Sequence, residues 1–473
     1  MRPVITVLLI FIFFISFGFI KGQDVGFNNS WPNKKIYSLN LKSLEDKYRF
    51  SGLLHYDTQS DSLLSSSFFG LNVNHLIHHS YYPAFILSPL LFFQNNSFKI
   101  IIESNLVNER FGFEFLSTKF SRDGVAFDYN VASLQYVNKN NKFLISIGRS
   151  PIWWGQTFES TLIVNPFSGP YDNIYFNHEL NEFLKLEAFT ANLNSKKHFN
   201  SHINRFMAGH KVSFINKNKK FLFNLGEIFI YTGENISLDI KYLNPIIPYF
   251  LVDINDADIE NDNFNSILFF DFRYNYSENR SIFFEIILDD YQIDETGIKN
   301  AIGLKLGFDN NLKVFSKNLN LSFERNFLSD NIYSHSGVHS YFLNNERPIG
   351  YQYGQACDTY DLNLSLKINH FMSIKNSYLI INRTKTSSIS IWDDSNNVMD
   401  HNEFENHDFK RNTQYYDLSL HFEFKQIFLA LGLSNEPIVD FMIYDNLYRE
   451  DKKLYLELNY FFDFSSNFSA KLR

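Results

Sequence analysis

Hydrophobic and polar residues alternate along most of this chain. In Tyr360–Phe371 (YDLNLSLKINHF), Leu362, Leu364, Leu366 and Ile368 fall on one face, and Asp361, Asn363, Ser365, Lys367 and Asn369 on the other. In Tyr416–Lys425 the apolar set is Tyr416, Leu418, Leu420, Phe422 and Phe424, opposed by Asp417, Ser419, His421, Glu423 and Lys425. Leu454–Phe464 repeats the pattern through Leu454, Leu456, Leu458, Tyr460, Phe462 and Phe464. A period of two is the mark of a strand whose faces meet two different surroundings. Each run has about the ten residues that a tilted strand needs to cross a bilayer.

The connections alternate as well. Short polar turns are predicted at Gln94–Ser97, Asn138–Lys142, Asn216–Lys220, Tyr276–Ser281, Ser316–Asn318, Ser373–Ser377 and around Lys425-Gln426. Longer segments lie between them: Ser150–His178, Thr232–Asn265, Leu328–Thr359 and Thr384–Asn412. Short turns at one rim and long loops at the other characterise outer-membrane barrels. About sixteen to twenty strands are expected, which predicts an all-β fold: one large antiparallel transmembrane β-barrel with short periplasmic turns and long extracellular loops. A soluble sandwich would also alternate. It would not place so many phenylalanines opposite such regular charges, because it buries only one layer.

The N-terminus fits export. A basic start, an apolar run from Val4 to Ile20 and the small residue Gly22 form a signal-peptide pattern. The expected division is a leader over 1–22, a short periplasmic segment over 23–47 and the barrel over 48–473. Composition then narrows the chemistry. The chain has 473 residues, 53 Phe, 27 Tyr and 4 Trp, and a single cysteine, Cys357, so no intrachain disulfide can form. Loss of Arg2 and Lys21 with the leader takes the formal net charge from −8 to −10. That acidity argues against nucleic acid as a partner. No nucleophile elbow, zincin helix or phosphate loop appears, so an enzyme is not expected. No cofactor and no metal are expected. The acidic stretch Asp253–Asn265 has a calcium-binding composition but lacks the ordered loop with its glycine.

Two of the four tryptophans are adjacent, Trp153 and Trp154, just where the strand Phe143–Arg149 reaches the long-loop rim. A tryptophan there serves either as packing in the barrel mouth or as a platform for a sugar ring. Trp153, Trp154, Tyr171 and Trp392 are the candidate carbohydrate contacts. A second reading concerns a polar pair. Pairing across the turn at Asn218-Lys219 matches Phe214 with Phe223, Val212 with Leu225 and His210 with Glu227, on what is otherwise an apolar face. Such a pair lies either in the outer part of the membrane or, through a bulge, inside near Arg149 and Arg205.

Three blocks make a family visible. GRSPIWWGQTFESTLIVNP, containing Arg149 and Gly155, resembles the GR…WWG segment of the Wzi-type capsule-assembly outer-membrane proteins. NRFMAGHKVS, with Arg205 and His210, is followed by Leu225-Gly-Glu227 and by YLNPIIPY with Tyr242, Asn244 and Pro245. These are similar to the family's NR-MAGHR, GE and YLNP-IPY strings. Arg347-Pro-Ile-Gly-Tyr-Gln-Tyr-Gly354 with Asp358 resembles a later RPLG…G–D element. The resemblance implies eighteen strands and a non-enzymatic, lectin-like role, holding capsular or exopolysaccharide at the surface of a Gram-negative outer membrane. The partners expected are that polymer, outer-membrane lipid and lipopolysaccharide, and the barrel-assembly machinery. A channel for small solutes is the alternative. Two departures stand out: 23–47 is too short for the family's periplasmic helical bundle, and WWGQ replaces WWGPG.

Overall fold

The computed structural model describes residues 65–468 except 79–83, 96, 109–120, 123–124, 139–141, 158–159, 199–200, 247, 250–263, 278, 291–300, 315, 335–338, 346, 384–411, 425–426 and 435–452. The leader, the segment 23–47, most of the acidic stretch and Trp392 lie outside the described residues.

Every long strand pairs antiparallel with its sequence neighbour, and the strand Ser65–His78 pairs with the last, Lys453–Phe468. The sheet therefore closes on itself. Of its 20 strands among the described residues, Ser121–Arg122 and Lys196–His198 are short flaps. The remaining eighteen make the ring. Closure matters because a sheet edge in hydrocarbon would leave backbone N–H and C=O groups without partners.

The ring strands are long enough to cross, for example Ser201–Ile215, Phe264–Ser277 and Ala301–Val314. Their faces divide as the alternation predicts. Ile147, Val212, Leu225, Leu268, Ile282, Leu304, Leu306, Leu418 and Leu431 are exposed on the outside. Ser146, Lys211, Asn224, Asp271, Ser281, Lys305 and Ser419 are buried on the inside. At the short-turn rim the outer face carries linked rings: Phe98 on Tyr136, Tyr136 on Phe143, Phe143 on Phe176, and Phe221 on Tyr274. Such a girdle marks a membrane interface, where a ring can be half wet.

One predicted turn is displaced. Ser373–Ser377 belongs to the strand Met372–Arg383, and the chain reverses just before it, where Ile368 and Asn369 donate back to the Met372 carbonyl. The serines there are strand positions with a polar alternate, which composition alone does not separate from a turn. The long segment after Ser150 also holds a strand, Tyr171–Glu179.

Candidate functional site

The segment with the paired tryptophans leaves the wall at Ser150 and folds inward. Trp154 and Val164 exchange backbone hydrogen bonds of 3.1 and 3.2 Å, so Pro151–Ser168 doubles back as an irregular hairpin. Gly155 permits the reversal. Its φ is +133°, and a Cβ there would collide with the Thr161 side chain.

Trp154 is 1% exposed and sits in the lumen, against Phe189 at 4.7 Å and Phe269 at 5.7 Å between ring centroids. The Lys211 ammonium lies 4.9 Å from its ring centre. Below it Glu187 is flanked by Lys185 at 2.9 Å and Lys211 at 3.2 Å, and accepts a bond from the Tyr175 hydroxyl. Gly209 allows the close approach of Trp154 to the wall.

Charged side chains from the facing wall hold the hairpin. Glu285 accepts the backbone N–H groups of Gln156 at 2.6 Å and Leu162 at 2.7 Å. Arg273 donates to the Gln156 carbonyl at 2.6 Å and to its side-chain oxygen at 3.0 Å. The Gln156 amide donates to Asp271, Lys305 to the Ser160 carbonyl, and the Ser160 hydroxyl to Glu324. Lys305 and Glu324 pair at 3.3 Å. The wall thus supplies the loop's backbone with the partners that a strand ladder would otherwise supply.

A second inward segment, Ser329–Ala356, packs on the first. Asn165 donates to the Ile349 carbonyl at 2.6 Å, and the Tyr333 hydroxyl to the Leu162 carbonyl at 2.6 Å. Burial holds the Tyr333 phenol well above its ordinary value, so it remains a donor. Arg205, fully buried, donates to the carbonyls of His339 and Tyr341, each at 2.7 Å, and stacks on the Tyr341 ring. Arg347 closes a short hairpin opposite Asn344. Tyr351 reaches Thr359 on the wall at 2.6 Å.

The remaining candidates occupy different places. Tyr171 is 1% exposed and bonded to Ser168, with no free face. Trp153 is half-buried and donates to the Thr157 carbonyl at 2.9 Å. Arg149 faces outward and makes a two-pronged pair with Asp172 at 2.9 Å. Asp358 does the same with Arg325 at 3.1 Å. Neither Arg149 nor Arg205 meets the His210–Glu227 pair.

That pair has the register expected: Phe214 opposite Phe223, Val212 opposite Leu225, His210 opposite Glu227. No bulge interrupts it, and both side chains point outward. The segment after Gly233 folds back over them on the outer wall. Asp239 caps a short 3-10 turn, Ile240–Leu243. Asn244 is extended, as a residue before proline must be, and its side chain accepts the Ile246 N–H at 3.1 Å. Tyr242 then lies on Phe229 and Tyr231, at 5.0 and 4.6 Å. Tyr249 lies on His210 at 4.3 Å and gives its N–H to Glu227 at 2.7 Å. Glu227 and His210 approach to 3.7 Å.

Sequence reasoning missed the hairpin's anchors: Asp271, Arg273, Glu285, Lys305 and Glu324. Their signal was present as single charges at alternate positions within apolar strands, as in FFDFRYN and GLKLGF.

A closed antiparallel ring with an apolar exterior, an aromatic girdle and a lumen filled from the long-loop side defines an outer-membrane barrel carrying an internal plug. The chain belongs to the capsule assembly protein Wzi family, whose profile matches residues 50–451. Among solved structures it is similar to the Escherichia coli outer-membrane protein Wzi, described as a carbohydrate-binding β-barrel involved in group 1 capsule assembly. Identity there is 13%, with 91% of this chain and 89% of the other covered and a TM-score of 0.57. It also matches Acinetobacter baumannii OccAB3 at 10% identity, covering 85% of this chain and 99% of that one, with a TM-score of 0.48. Pseudomonas aeruginosa OprD matches at 9%, covering 86% and 97%, with a TM-score of 0.45. Comparison with curated proteins finds no match.

Proposed function

We propose that this barrel binds capsular or exopolysaccharide and attaches it at the cell surface without catalysing a reaction. Membership of the capsule-assembly family carries the reading. The plug supports it against the channel reading, because an ordered hairpin clamped by charges from several strands stands where a solute path would run. Trp154 and Tyr171 serve in this reading as packing that shapes the loop surface, since burial leaves their rings no side for a sugar. Contact with the polymer falls to the outer loops, with Trp153 and Trp392 as candidates. Outer-membrane lipid, lipopolysaccharide and the assembly machinery complete the partners, and export is through a cleaved leader.

The test is made on cells. In a deletion strain, polymer bound to cells and polymer released to the medium are measured separately. Attachment predicts an unchanged total shifted into the medium, restored by the wild-type gene. An unchanged partition overturns the proposal.

A further inference from the structure

The outer wall poses a problem that the attachment role does not address. One ladder rung runs outward-facing through Tyr136, Ile145, Phe176, Ala188, His210, Glu227, Leu268, Leu288 and Ile302. It begins in the aromatic girdle at Tyr136 and Phe176 and ends at the long-loop rim. His210 and Glu227 are its acid–base pair, and they fall midway. Their neighbours on this wall, Val212, Leu225 and Leu268, are exposed apolar residues of the membrane band. A lipid-facing Arg or Lys costs about 2–4 kcal/mol at the bilayer midplane and a carboxylate less, falling toward zero near the interface.

The segment 234–249 covers this pair. It lands in a recess made by small side chains: Ala188, Thr190 and Ala208 are fully buried although they face outward. Tyr242 and Tyr249 fill it. Tyr249 gives Glu227 a backbone donor, and its hydroxyl bonds back to the Tyr242 carbonyl at 2.6 Å. The Asn204 side chain pins the start of the segment through the Ile236 carbonyl at 3.0 Å. The segment's exposed residues divide: Glu234, Asn235, Ser237, Lys241 and Asn244 are polar, whereas Leu238 and the tip at Ile246 are apolar. Ile246 is 80% exposed, between Pro245 and Pro248.

We propose that this segment is a clasp immersed in the outer leaflet: it takes the place of lipid over the His210–Glu227 pair, and Ile246 is its contact with the acyl chains. The exposed Ile246 tip belongs to a segment that lies beside the exposed Val212 and Leu225 of the barrel's apolar band, which names its occupant as hydrocarbon.

The inference rests on the barrel lying in a bilayer, so the test includes that premise. Single cysteines are placed at Ile246 (I246C), at Leu225 on the bare wall (L225C) and at Lys219 in a short turn (K219C), in a Cys357→Ser background. Each is labelled with an environment-sensitive fluorophore and reconstituted in phosphatidylcholine vesicles. Quenching by nitroxides on the lipid acyl chains is compared with quenching by aqueous iodide. The clasp predicts that Ile246 follows Leu225: strong lipid quenching, and iodide access several-fold below Lys219. If Leu225 is quenched by lipid and Ile246 only by iodide, or equally by both, the clasp is overturned while the barrel reading stands. If neither is quenched by lipid, both fall together.

Discussion

The plug and the clasp leave neighbouring stretches of one wall and close over its opposite faces. Both are irregular backbone anchored by a buried carboxylate that accepts main-chain N–H groups: Glu285 inside, Glu227 outside. They differ in what surrounds the anchor. Glu285 belongs to a chain of charges with Asp271, Lys305, Arg273 and Glu324, in a lumen where polar groups are ordinary. Glu227 accepts the Tyr249 N–H and faces His210 beneath two tyrosines, on a surface where polar groups are costly. An inner anchor can be shared among many partners, whereas an outer one must be covered. The plug should therefore act on passage through the barrel, and the clasp on how firmly the barrel is held together in lipid.

The largest effect expected is from Glu285→Ala. It removes two charge-assisted bonds to the plug backbone, each worth about 1.5–3 kcal/mol. A combined loss near 4 kcal/mol raises the undocked population about a thousandfold. Single-channel recording in planar bilayers should show conductance events rare in the wild type, with the unfolding midpoint little moved. Quiet traces would mean that the second inward segment holds the lumen by itself.

Glu227→Ala probes the other side. It strands the Tyr249 N–H and the His210 ring in an apolar setting, at a cost of about 1–3 kcal/mol. The unfolding midpoint in denaturant should fall while conductance stays at the wild-type level. Glu227→Gln keeps an acceptor and should recover most of the loss. A normal midpoint for both variants would break the parallel between the two anchors.

Much of this division was legible in the sequence. Alternation gave the wall, and the match of Phe214 to Phe223 fixed the rung on which His210 meets Glu227. The three family-like blocks were visible too, but their sorting was not. Arg205 and His210 are five residues apart on one strand, yet odd and even positions send one to the plug and the other to the clasp. Trp154 was likewise ambiguous, since an indole suits a sugar surface and a packed mouth equally. Only the hairpin that buries it against Phe189 and Phe269 separates the two. The anchors Glu285 and Lys305 looked like any lumen-facing charge, because their partners are backbone groups more than a hundred residues away.

Gly155→Ala should act in the direction of Glu285→Ala, more weakly. A residue with a Cβ at φ +133° carries about 1–3 kcal/mol of strain, and here it also presses on Thr161. Conductance events should appear at intermediate frequency. Thr161→Gly combined with Gly155→Ala separates the two causes: it removes the Thr161 Oγ1 and Cβ that meet the new Cβ and leaves the strain.

Arg325→Ala should give the smallest effect. Arg325 pairs with Asp358 on the outer face but is half exposed, at 52% of its side chain. Its two bonds of 3.1 Å resemble those of a surface ion pair, worth about 0–1 kcal/mol. Unfolding and conductance should both stay near wild type. Asp358 keeps the Tyr360 hydroxyl at 3.0 Å, so it is not stranded by the change. Two outward carboxylates therefore predict opposite outcomes: little change at Asp358, whose partner is uncovered, and a lowered midpoint at Glu227, where a segment has folded over it. An Arg325→Ala loss as large as that of Glu227→Ala would show that outward charge, covered or not, carries the barrel's stability, and would remove the reason for the clasp.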